Sequence, residues 1–174
     1  MRDAIITASS VFAFMSGLVS AAFANPDGAP WGTANPGADE NCHSCHFDGD
    51  AVLNSNDLSL SGLPDQITAG GTYILKVSLV DCDAVAAGFQ MIASGGQFWS
   101  GEDAIEAEAN QIRSAKLRRL EDRAEISWAV FWRAPETLSE TIDFQIAVNA
   151  SNDDASPFGD TIHFKSVIHQ TAAK

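Results

Sequence analysis

Basic residues are scarce in this chain: ten Lys and Arg stand against 23 Asp and Glu, a formal charge of −13 over 174 residues, with a sequence pI near 4.4. A surface of that sign lacks the cationic footprint that nucleic acid or an anionic membrane requires, so neither is an expected partner. Cysteine is scarce too. Three thiols cannot build a disulfide scaffold, and two of them lie three positions apart with a histidine directly after, so cysteine use concentrates at one place. No convincing Ser-His-Asp, paired-carboxylate or phosphate-loop arrangement is present, which disfavours a hydrolase or transferase and points to a protein that is not an enzyme. What remains is a chain that is 45% hydrophobic and long enough for one domain with a true core.

The beginning of the chain reads as an export signal. Met1, Arg2 and Asp3 lead into the apolar stretch Ala4 to Phe23, which ends at Ala22-Phe23-Ala24 in the small-x-small form accepted by signal peptidase. Residues 1–24 are therefore the predicted signal peptide, and the periplasm is the expected location. If uncleaved, the same stretch is long enough to stay as a membrane anchor. No other segment is long and apolar enough to cross a bilayer, so no membrane insertion is expected after cleavage. Residues 25–57 follow as a Gly/Pro-rich arm that opens with NPDGAPWGTANPGADEN, an extended or turning composition.

Residues 58–174 carry period-2 alternation. Tyr73, Leu75, Val77 and Leu79 alternate with Lys76 and Ser78, and Phe89 and Met91 flank Gln90. Ile126, Trp128, Val130 and Trp132 share one face, as do Ile142, Phe144, Ile146 and Val148. In the last strand Ile162, Phe164 and Ile168 face away from His163, Lys165 and His169. Five such strands separated by Gly, Pro, Asn and Asp predict an all-β fold, an antiparallel immunoglobulin-like β-sandwich. Ala104 to Arg123 breaks the pattern: Ile105, Ala109, Ile112, Lys116, Leu117 and Leu120 recur at helical spacing among good helix formers, which by itself predicts a surface helix.

Cys42-His43-Ser44-Cys45-His46 is C-x-x-C-H, the attachment signature of a c-type haem. Two thiols at this spacing can add to the two vinyl groups of one porphyrin, and the adjacent His46 is then held to ligate the iron. At the chain's own residue frequencies the motif is expected by chance on the order of 0.001 times. Cys42, Cys45 and His46 are thus the candidate cofactor-binding residues for one covalent haem c. The competing reading is a structural disulfide, Cys42–Cys45, with His46 a bystander. A sixth iron ligand follows by elimination. His43 lies inside the attachment loop, and His163 and His169 stand about 20 Å apart along one strand, so only one of them serves a single iron. His163, on the more polar strand face, is the first candidate; Met91 is the second, although it shares a face with Phe89 and reads more readily as core.

Weaker features complete the inventory. Arg113, Lys116, Arg118, Arg119 and Arg123 form the single cationic run, suited to an acidic partner or to a solvated face. Cys82, between Asp81 and Asp83, reads as a buried or incidental thiol. Asp153, Asp154 and Asp160 lack calcium-loop spacing and are explained by a turn.

Taken in order, Gly28 to Pro30, the C-x-x-C-H motif, Gly62-Leu63-Pro64, Ala69 to Tyr73, Gly88-Phe89-Gln90, Trp132 to Pro135, Asn149 to Asp153 and Gly159-Asp160 resemble the bacterial choice-of-anchor V domain, a relative of the reelin-type domain. The resemblance implies a reelin-like sandwich with an N-terminal haem-bearing arm, and it implies strand and loop over Ala104 to Arg123. The combined expectation is a periplasmic mono-haem c-type cytochrome domain in single-electron transfer. Its expected partners are redox proteins, a membrane electron-transfer complex among them. The alternative is a non-enzymatic binding or adhesion module on the same scaffold.

Overall fold

The computed structural model describes residues 28–120, 125–154 and 156–171. The predicted signal peptide and Arg123 lie outside the described residues. One short helix, α1 (Cys42–Cys45), precedes eleven strands: β1 (Ala51–Val52), β2 (Leu58–Ser61), β3 (Thr72–Val80), β4 (Ala86–Ala93), β5 (Gln97–Trp99), β6 (Ile105–Glu108), β7 (Gln111–Ser114), β8 (Arg118–Arg119), β9 (Glu125–Arg133), β10 (Thr141–Ser151) and β11 (Thr161–Gln170).

The strands form two sheets. The first runs β1-β11-β10-β4-β7-β6, with β8 also on β4; the second runs β2-β3-β9-β5. All pairings are antiparallel except β1 on β11, where Ala51 stands beside Ile162 and Val52 beside His163. The expected all-β sandwich is therefore what the chain forms.

Alternation decides which residues meet between the sheets. Leu75, Val77 and Leu79 of β3 and Ile126, Trp128, Val130 and Trp132 of β9 are buried, as are Phe89 and Met91 of β4 and Phe144, Ile146 and Val148 of β10. Two aromatic contacts bridge the layers: Phe89 on Trp128 at 4.8 Å and Trp132 edge-on to Phe144 at 5.1 Å between ring centroids. Truncating either tryptophan removes a side chain of a class worth about 3–5 kcal/mol in a core.

The helix expected from spacing over Ala104 to Arg123 does not form over residues 104–120, the part the structure describes. Its described part is the β6–β7 hairpin followed by β8, with Glu108 paired to Gln111 across a two-residue turn. Ala109 takes φ +52°, the left-handed region that lets the turn close. Ile105 and Ile112 are buried on the hairpin's inner face. A seven-residue separation satisfies two helical turns and also two strands folded about a turn, so the spacing alone did not discriminate. Core burial of both isoleucines decides for the hairpin over local helix propensity.

Candidate cofactor-attachment site

The outer face of the first sheet carries a second apolar cluster, separate from the inter-sheet core: Ala147 of β10, Ile162 and Phe164 of β11, and Ala34 of the arm, with Cys42 and Ile92 packed against it. The arm is fixed there by polar contacts. Gln90, buried on β4, donates from Nε2 to the Pro30 carbonyl (2.7 Å) and accepts from the Ala34 amide (3.0 Å). Arg113 of β7 lies over the Trp31 ring at 4.3 Å, donates to the Ala29 carbonyl and pairs with Glu106 at 2.8 Å. An arm with little hydrophobic mass of its own is thus tied down by one amide and one guanidinium from the sheet.

The C-x-x-C segment is a single helical turn, too short to persist without caps. Asn41 supplies the N-terminal cap: its side chain accepts from the His43 amide at 3.0 Å, while the Ser44 hydroxyl accepts from the Asn41 amide at 3.0 Å. The Cys42 amide donates to the Thr33 carbonyl at 3.1 Å, which anchors the turn to the docked arm. Spacing of three on one helical turn puts Cys42 and Cys45 on the same side. Both are free thiols, Cys42 half-buried and Cys45 exposed. Burial pushes the Cys42 thiol above its ordinary range, opposed by the Thr33 hydroxyl 3.6 Å from its sulfur.

His46 closes the turn, its amide donating to the Cys42 carbonyl at 3.2 Å. Its ring is held by residues from the other end of the chain. Nδ1 lies 2.8 Å from Oδ2 of Asp160, and the Asn149 amide donates to the same oxygen at 2.9 Å. A carboxylate only accepts, so in the neutral ring Nδ1 carries the proton, a choice the 2.8 Å contact to Asp160 favours over the 3.5 Å approach of the Asn149 amide, and Nε2 keeps the lone pair. Asp160 is almost wholly buried, and its Oδ1 has no partner among the described residues. Gly49 permits this placement: a Cβ there would stand 1.6 Å from the Asp160 carbonyl oxygen. Beside the turn, exposed Phe47 and Phe158 meet edge to face at 5.7 Å.

These residues fit a c-type haem. Two free thiols share one side of a turn, the next histidine keeps Nε2 unengaged by the described residues, and the other ring nitrogen has the carboxylate partner that metal-ligating histidines commonly use. Asp160 and Asn149 escaped the sequence reading as site residues; Asp160 was assigned to a turn. The available signal was their place in the Asn149 to Asp153 and Gly159-Asp160 segments.

The two candidate sixth ligands are not brought to this face. His163 points inward, between the sheets, where Nδ1 meets the Ser55 hydroxyl at 2.9 Å and Nε2 meets Asp81 at 3.2 Å. The polar-face expectation for His163 is corrected by burial of both faces at this end of β11: the arm covers the apolar Ile162 and Phe164 side, and Asp81, just past the end of β3, lies on the other. Met91 is fully buried in the inter-sheet core. The Ser55-His163-Asp81 order has the makeup of a hydrolytic triad, but Ser55 is 1% exposed and its oxygen also accepts from the Asp57 amide. It is a buried tie between sheets.

Other readings also shift. Arg118 and Arg119 pair with Glu102 and Asp153 at 2.5 and 2.6 Å, and Arg113 with Glu106, so three members of the cationic run are neutralised locally. Cys82 is exposed, not buried. Among the described residues no group of three or more His, Cys, Asp or Glu converges as a metal cage.

No protein-family model matches the chain, and no curated protein does. Among solved structures it is similar to the Reelin-N domain of F-spondin, with TM-score 0.55 and 17% identity over 75% of this chain and 97% of that one. The human F-spondin reeler domain aligns with TM-score 0.51 and 16% identity, covering 72% of this chain and 95% of that one. The architecture is accordingly a reelin-like β-sandwich.

Proposed function

We propose that the chain is an exported, periplasmic carrier of one covalent haem c, working in single-electron transfer with redox partner proteins. The observation that supports this best is the joint placement of Cys42, Cys45 and His46: two free thiols and an imidazole on one capped turn, set on the outer face of the first sheet. Each thiol would add as S–H across a vinyl double bond, with no atom lost, and His46 would be the proximal ligand. When bound, the haem supplies a one-electron iron couple. The chain's own part is to hold the turn, to orient His46 through Asp160, and to offer Phe47 and Phe158 as apolar cover.

The test is expression in the periplasm of a host that matures c-type cytochromes. The purified protein should be red, one haem heavier than its chain, with a c-type pyridine haemochrome; Cys42→Ala with Cys45→Ala should abolish all three. A colourless wild-type protein of unmodified mass overturns the proposal. That outcome would favour a haem-free binding module, for which the reelin-like fold and the exposed Trp99, stacked on Phe131 at 5.4 Å on the second sheet's outer face, are the supporting observations.

A further inference from the structure

Asp160 is an expensive residue for this fold. Its carboxylate is almost completely buried, only Oδ2 is hydrogen-bonded, and Oδ1 faces no donor among the described residues. An orphaned buried polar atom costs about 1–3 kcal/mol, and no strand pairing depends on this side chain. What the carboxylate does touch is His46 Nδ1, and what steadies it is the Asn149 amide on the same oxygen. Close approach of the Gly49 backbone fixes the main chain on which it sits.

We propose that Asp160, steadied by Asn149, is a positioning residue for His46. It fixes the imidazole as the Nδ1–H tautomer, so that Nε2 is the only ring nitrogen able to bind a metal, and it makes that nitrogen a stronger donor. The inference rests on the haem reading and adds the direction in which this chain sets its cofactor: a more basic proximal imidazole favours ferric over ferrous iron and so lowers the reduction potential.

Two measurements decide it. In the haem-free protein, nitrogen NMR of the His46 ring in its neutral form should show the Nδ1–H tautomer; Asp160→Ala should return the ring toward the Nε2–H form preferred in water. In the haem-loaded protein, Asp160→Asn, which keeps the side-chain size, should raise the potential by about 59 mV or more, equivalent to a tenfold loss of ferric preference for one electron. A wild-type ring already in the Nε2–H form, or an Asp160→Asn potential equal to wild type, overturns the proposal. A colourless wild type refutes the haem reading, and the NMR measurement still decides what Asp160 does to His46.

Discussion

His46 and His163 each face an aspartate, at 2.8 and 3.2 Å, from opposite faces of the first sheet. Their burial is inverted. In the His46 pair the aspartate is the deep member, 2% exposed at the side chain against 18% for the histidine; in the His163 pair the histidine is deep at 6% and Asp81 stands at 17%. His163 spends both ring nitrogens inside the protein, on Ser55 and Asp81, and has nothing left to offer. His46 spends one and keeps the other. A histidine with a buried carboxylate behind it and an unengaged nitrogen in front retains the capacity to take a ligand, whereas one satisfied on both sides does not.

This contrast can be broken in four ways, taken from the largest expected effect to the smallest. Gly49→Ala would force the Asp160 backbone away, because the new Cβ falls 1.6 Å from its carbonyl oxygen; we expect a loss of about 3 kcal/mol in denaturant unfolding, at the upper end for overpacking, together with a changed His46 environment. His163→Ala leaves Asp81 and Ser55 without their partner and should cost about 2 kcal/mol while leaving haem attachment unaltered. A changed haem spectrum in that variant would erase the distinction between the two histidines.

Arg113→Ala removes the cation over Trp31 and a donor to Ala29, so the arm should loosen by about 1 kcal/mol and be cut first within residues 28–41 in limited proteolysis. The smallest effect concerns the thiols. Burial raises the Cys42 pKa, so at mildly alkaline pH Cys45 should be alkylated several-fold faster in mass-resolved labelling. A raised folded-state value means that the stability Cys42 contributes is present below the ordinary thiol pKa and fades as pH climbs through the raised one. The labelling gap should narrow over that same alkaline interval.

Much of the sandwich was legible because burial on one face leaves a period-2 trace: β9 alternates along all nine residues, and β3 and β10 alternate along most of theirs. The β6–β7 hairpin was not, since Ala, Glu, Leu and Arg favour helix locally and Ile105 and Ile112 suit either period; their burial in the core is a tertiary fact. At the site, Cys42, Cys45 and His46 fall within one five-residue motif and stood out together in the sequence. Asp160 and Asn149 stood out only as members of the Asn149 to Asp153 and Gly159-Asp160 segments, because nothing local in Gly159-Asp160 says that a histidine from the arm will lie beside it. His163 misled for a related reason: a strand end covered on both faces gives no polar side, so its alternation with Ile162 and Phe164 named the wrong one as exposed.

The parallel pairing of β1 on β11 has a consequence for the order of events in assembly. His46 meets Asp160, at the entry to β11, and Ser55 meets His163 of β11 across 108 residues of chain. Both contacts must await synthesis of the last strand and closure of a very long loop, the slowest class of contact to form. The attachment turn is therefore emitted early and completed late. During that interval neither thiol is fixed beside the sheet, and His46 acquires its oriented ring only when the final strand has docked.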